Sequence, residues 1–174
     1  KQPDPIITKD AAYNPIDDTI TWQITVNKEG VNVNNAVVTD TIENTQKFVE
    51  GSVKINGTPS EDNYDAAAKK LTFNLGNIDK EQIITYKTSV HDDLAAKAQG
   101  NYNYKNTASF NYDKNGTPVN ITSNTKSVPV YVKYISKDGT YNAKTKQIDW
   151  TITVNESGRT INNAVVKDTI PEGL

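Results

Sequence analysis

Along much of the chain apolar and polar residues alternate with a period of two, which puts every second side chain on one face of an extended strand. Ile20, Trp22, Ile24 and Val26 are separated by Thr21, Gln23 and Thr25, and Ala36, Val38 and Ile42 alternate with Val37, Thr39 and Thr41. Each run therefore has one apolar face. Residues 52–56 and 71–75 flank a turn-rich stretch that begins at Asn56-Gly57, and 83–90 reads as a further strand. Residues 102–112 and 119–123 are joined through Asn115-Gly116, a favoured two-residue hairpin turn. One short helix is predicted over about 92–99, with Asp92 at its N-cap and Gly100 just past its end. Seven or more short strands punctuated by turns predict an all-β chain folded as a β-sandwich.

The same pattern returns. Residues 9–42 and 137–170 align without a gap at an offset of 128, with 19 identities in 34 positions. The shared residues include Lys9 and Lys137, Trp22 and Trp150, and Asp40 and Asp168. Internal repetition of this strength predicts one complete immunoglobulin-like unit over 1–128 and the first strands of a second, truncated unit over 129–174. The junction, residues 128–134, has no Gly/Ser spacer, so the units are expected to be held stiffly. The second unit stops before the strands that should cover Trp150, Ile152, Val154 and Val166. A bare apolar face of that kind is expected to pack on the first unit or on another copy of the chain, giving a dimer.

Composition narrows the function. The formal net charge is −2 with both signs scattered, so no basic stripe points to nucleic acid and no polybasic patch to a membrane surface. With no Cys there is neither a disulfide framework nor a thiolate site, and no apolar run is long enough to insert in a bilayer. No cofactor or metal is expected. His91 is the sole histidine and, despite Asp92 and Asp93 beside it, reads as structural or exposed; Asp17-Asp18 and Glu61-Asp62 read as solvated turns that do not match an EF-hand loop. Trp22 and Trp150 occupy equivalent apolar positions and read as core. The Asn-x-Ser/Thr matches at Asn56, Asn115, Asn120 and Asn155 are expected by chance in so Asn- and Thr-rich a chain. No nucleophile elbow, phosphate loop or acid pair suited to turnover is present, so the chain is not expected to be an enzyme.

Three polar residues nevertheless stand in the apolar phase of their strands. Lys9 is in phase with Ile7, Asp40 with Ala36, Val38 and Ile42, and Asn106 with Tyr104, Ala108, Phe110 and Tyr112. A sandwich would aim all three at its core, where a lone ammonium or carboxylate is expensive. Burial lowers a lysine pKa and raises that of an aspartate, so the two could rest as neutral amine and neutral acid. A neutral amine is a nucleophile. A protonated Asp40 could hydrogen-bond the Asn106 carboxamide oxygen, sharpen the electrophile and stabilise the oxyanion as Lys9 attacks and ammonia leaves. The product is a Lys9–Asn106 isopeptide cross-link, made once by the fold on itself. The alternative is that Lys9 snorkels to the rim, Asp40 caps a turn and Asn106 is an ordinary strand residue.

Four motifs carry a resemblance: Ile7-Thr8-Lys9, the segment from Ile20-Thr21-Trp22 to Val26-Asn27, the segment from Asn35-Ala36 to Thr41-Ile42, and Tyr104-Lys105-Asn106-Thr107-Ala108. Through them the whole chain resembles the repeat domains of Gram-positive cell-wall-anchored surface proteins. These form the collagen-adhesin-like family that includes pilins and stalk domains with intramolecular isopeptide bonds. The resemblance implies an extracellular place on a bacterial cell wall, and a cross-link between Lys9 and Asn106 with Asp40 as catalytic acid. Asp168 is then the equivalent acid in the truncated unit, and Lys137 an unpaired cross-link lysine. It further implies a structural stalk repeat whose partners are its neighbouring repeats. The alternative is an adhesin module that grips collagen or another host matrix protein.

Overall fold

β-Branched and aromatic side chains pack well on a pleated surface and lose χ1 freedom in a helix, and this chain is rich in them. The computed structural model describes residues 4–173. In chain order the strands are β1 (Ile7–Asn14), β2 (Thr19–Val26), β3 (Val33–Thr41), β4 (Lys47–Phe48), β5 (Lys54–Ile55), β6 (Thr58–Pro59), β7 (Tyr64–Asp65), β8 (Lys70–Ile78) and β9 (Gln82–Ser89). A helix, α1 (His91–Ala95), precedes β10 (Gly100–Asn106), β11 (Ala108–Lys114), β12 (Thr117–Thr122) and β13 (Lys126–Val132). The hairpin β14 (Ile135–Asn142) and β15 (Gln147–Val154) follows. The chain divides into two compact units, Lys1–Val132 and Lys133–Leu174.

The first unit is the all-β, immunoglobulin-like sandwich that the alternation predicts. One sheet runs β1-β2-β9-β5-β6, with β4 also on β9; the other runs β12-β11-β3-β8-β7, and β10 and β13 form a separate ribbon. Ile20, Trp22, Ile24, Ile84 and Tyr86 of the first sheet and Val38, Leu71, Phe73 and Phe110 of the second are all buried. The two faces meet where the Phe73 ring lies 6.2 Å from that of Tyr86. Three of the buried polar side chains form a series. Trp22 Nε1 donates to Thr88 Oγ1 at 2.9 Å, and Thr88 Oγ1 donates to Gln46 Oε1 at 2.7 Å.

Two irregularities aim side chains. Asn35, at φ 52°, sits in a bulge where the pairing of β3 shifts against β8 between Val33 and Ala36. The extra residue lets Val33 and then Ala36, Val38 and Asp40 all face inward. The second irregularity corrects the predicted single strand over 102–112, which breaks at Thr107. Its first part, β10, pairs with β13, and its second, β11, inserts between β12 and β3. Alternation of side chains is preserved across the break, so a period of two runs through it undisturbed. Asn106 therefore lies where the chain crosses from the ribbon into the second sheet. The helix also differs from expectation: it spans only His91–Ala95, with Val90 at its N-cap and no side-chain cap, while Gly100 opens β10. The Asn115-Gly116 hairpin forms as predicted, closing between Lys114 and Thr117.

In the second unit β14 and β15 repeat the register of β1 and β2: Lys9 stands opposite Ile24, and Lys137 opposite Ile152. The loop after each hairpin is locked by the same residue. Asn27 bonds both backbone groups of Val31, and Asn155 those of Arg159. Residues 155–173, which include the sequence copy of β3, form no strand; a strand without a partner leaves its backbone groups unpaired. Trp22 is fully buried, whereas its copy Trp150 is 49% exposed. Acrylamide should therefore quench the Trp22→Phe protein, which retains Trp150, much more strongly than the Trp150→Phe protein; equal quenching would contradict this difference.

Candidate functional site

Lys9, Asp40 and Asn106 come from three different sheets of the first unit and converge on its core. Their relative exposures are 4%, 1% and 4%. Lys9 leaves β1 on the inward side and forms an ion pair with Asp40 Oδ2 of β3, both side chains being fully shielded from solvent. The ammonium nitrogen stands 5.2 Å from the ring centres of both Trp22 and Tyr86, so two aromatic walls replace its water.

Tyr86, which the sequence reading did not single out, is the hub. Its hydroxyl donates to Asp40 Oδ2 at 2.7 Å and accepts from Lys9 Nζ at 3.3 Å and from Asn106 Nδ2 at 3.1 Å. The signal was present: Tyr86 is in phase with Ile84 and Thr88 and opposite Trp22 in the β2–β9 register, so its hydroxyl had to find a partner indoors. Two oxygens remain without a hydrogen-bond partner, Asp40 Oδ1 and Asn106 Oδ1. Both are acceptors when Asp40 is ionised; a proton on Asp40 turns one of them into a donor.

The electrostatics push the same way. Burial is the largest influence on Lys9 and lowers its pKa, while Asp40 pulls it back up. Burial likewise raises the pKa of Asp40, offset in part by Lys9, Tyr86 and Asn106. Tyr86 is held well above the usual phenol range, first by burial and then by the Asp40 charge, so it remains a neutral hydroxyl.

The repeated pair keeps its geometry but not its environment. Lys137 Nζ lies 2.7 Å from Asp168 Oδ1 and 4.3 Å from the Trp150 ring centre, yet the two side chains are 35% and 37% exposed. The remaining candidates do other things. His91 Nδ1 is 2.9 Å from Asp18 Oδ2, and Tyr13 donates to the other Asp18 oxygen at 2.5 Å, which ties the β1–β2 turn to the start of α1. No group of three or more His, Cys, Asp or Glu suited to a metal ion occurs among the described residues.

The family of collagen binding domains matches residues 4–70 and 132–174. The chain belongs to that family. Its fold is that of Gram-positive surface proteins: BcpA, the major pilin subunit of Bacillus cereus, superposes with a TM-score of 0.55 at 19% identity, over 83% of this chain and 45% of that one. The Enterococcus faecalis MSCRAMM ACE, which binds its ligands by the collagen hug model, superposes with a TM-score of 0.54 at 14% identity, over 73% of this chain and 51% of that one. This chain thus spans about half the length of either protein. A comparison with curated protein sequences finds no match.

The buried pair carries a pH signature. Asp40's folded pKa is raised, so its contribution to stability is complete below its unfolded value, about 4, and is lost as pH rises through the folded value. Lys9's is lowered, so its contribution is complete above about 10.5 and is lost as pH falls through the folded value. Each group thus costs stability at neutral pH. In an Asn106→Ala background, adding Lys9→Met and Asp40→Asn should give a stability advantage that is larger at pH 7 than at pH 4, measured by urea unfolding. A margin that shrinks between pH 4 and pH 7 would contradict the raised Asp40 pKa.

Proposed function

We propose that this chain is a stalk module of a bacterial cell-surface adhesin or pilin, and that its first unit closes an isopeptide bond between Lys9 and Asn106. The observation that supports it is the meeting of an amine, a carboxyl and a carboxamide around one hydroxyl in a dry core. In the neutral pair the Lys9 Nζ lone pair attacks Asn106 Cγ. Asp40, protonated, hydrogen-bonds the oxyanion that develops on Asn106 Oδ1 and relays the proton shed by the attacking nitrogen to Nδ2, ending protonated as it began. Asn106 Nδ2, which donates to the Tyr86 hydroxyl, leaves with that proton as ammonia. One C–N bond forms and one breaks; no oxidant or cofactor is needed, and the site works once.

In this reading residues 133–174 are the opening of a second repeat, Asp168 is the acid equivalent to Asp40, and Lys137 awaits an asparagine. The half-exposed Trp150 face also suits pairing with a second copy of the chain. The place of action is the outer surface of a Gram-positive cell wall. The family match favours a second reading, a module that grips collagen or another host matrix protein; saturable retention of the chain on immobilised collagen would carry it.

The test of the cross-link is the intact mass, expected one ammonia below that calculated from the sequence, with Lys9 and Asn106 in one branched peptide after digestion. Folded protein of the full calculated mass would defeat the proposal. Asp40→Ala should fold without closing the bond. By the loop-entropy argument used for disulfides, closing a loop of this size contributes roughly 4–5 kcal/mol, so this variant should melt well below the parent.

A further inference from the structure

The three residues that join β12 to β13, together with Lys126 at the start of β13, touch in alternation the chain around Asn106 and Ala108 and the strand that carries Lys9. Ser123 donates its N–H to the Ala108 carbonyl at 2.9 Å and accepts the Ala108 N–H on Oγ at 3.0 Å. Asn124 turns the other way: Oδ1 accepts the Lys9 N–H and Nδ2 donates to the Lys9 carbonyl, both at 2.9 Å. Thr125 returns, its hydroxyl 2.8 Å from that of Thr107. Lys126 stands opposite Asn106 in the β10–β13 ribbon and sends its ammonium to Asp10, 2.6 Å away.

β1 is an edge strand, so no neighbour in its sheet can pair the backbone of Lys9 on the side away from β2. The Asn124 carboxamide presents one acceptor and one donor, as a strand residue would, and takes that place. Ala108, held by Ser123, stands opposite Asp40 in the β11–β3 register. A single tetrapeptide thus sets the positions of Lys9, Asp40 and Asn106 against one another.

We propose that residues 123–126 are a brace for the cross-linking reaction, and that Asn124 is the positioning residue for the amine of Lys9. The proposal rests on the Lys9–Asn106 reading above. Reacting atoms must approach to about 3–3.5 Å, and a misplacement of about 1 Å can cost on the order of a hundredfold in rate. The backbone of an edge strand is where such a misplacement would arise.

The experiment is a time course of cell-free synthesis, with intact mass reporting closure and protease resistance of the same samples reporting folding. In molecules already folded, Asn124→Ala should close at least about tenfold more slowly than wild type. Asn124→Asp, which keeps the acceptor for the Lys9 N–H and loses the donor, should fall between them, and Thr122→Ala should close at the wild-type rate. A purely structural role would lower stability and leave the closure rate of folded molecules unchanged. Wild-type closure with equal rates in the Asn124 variants overturns the brace and leaves the cross-link standing; wild type that never loses ammonia overturns the cross-link and the brace with it. If Asn124→Ala does not fold, Asn124→Asp decides alone, and an unchanged rate in it overturns the brace.

Discussion

The burial of one ammonium and one carboxyl in the same dry core is the constraint on which the rest of the first unit depends. Removing an ion from water costs several kcal/mol even after relaxation, and pairing offsets that only if the remaining donors and acceptors are also met. Lys9 and Asp40 face each other between Trp22, Tyr86 and the strands of two sheets, with no solvent on either side chain. The surrounding packing must therefore hold them there. Turning the amine into an amide would remove the charge altogether and leave a neutral acid beside a neutral carbonyl, which a low-dielectric core accommodates far more readily. On this view the site is a store of unfavourable desolvation that the proposed reaction relieves.

Comparison of the two copies separates what makes the pair from what buries it. Lys137 meets Asp168 and Trp150 in the second unit as Lys9 meets Asp40 and Trp22 in the first, although Asp168 lies on no strand. Yet in the second unit more than a third of each charged side chain meets solvent, where an ion pair is worth little. Tyr86, Asn106 and the covering strands come from later in the repeat. In the proposed reaction the first third of the repeat would thus bring amine and acid together, and the remainder would supply the dryness and the electrophile.

Much of this was legible from a period of two. Lys9, Asp40 and Asn106 stood out because each breaks the apolar phase of its strand, and the sandwich follows from the number and spacing of strands. Phase says which face a residue occupies and nothing about which sheet, so the break at Thr107 passed unseen. A tyrosine in the apolar phase reads as bulk, which hid the hydroxyl of Tyr86. Ser123, Asn124 and Thr125 have the composition of any surface connection, and the pairing of Asn124 to Lys9, 115 residues away in sequence, is a product of the folded topology. The helix erred for a related reason: a helix of His91–Ala95 is too short for caps to decide, and its ends are set by Leu94 entering the core.

A bond from Lys9 to Asn106 also decides which residues tension can reach. Force applied before β1 and after β13 would enter at Lys9, cross the bond and leave through residues 107–132, so residues 10–105 lie outside its path. At roughly 3.4 Å per residue, the about 26 residues still on the path could extend by ~90 Å, against ~420 Å for the whole unit without the bond. The order of yielding follows from the sheets. β13 pairs only with β10 and β12 only with β11, so these two can peel, whereas β11 is hydrogen-bonded to β12 on one side and β3 on the other. Once the outer strands have gone, what remains to be pulled is the strand that lies against Asp40, immediately beyond the bond itself. With the bond in place, the last resistance to extension would therefore be concentrated at the grip of β3 on Ala108–Lys114, and strengthening that pairing would stiffen the module more than changes elsewhere among residues 10–105.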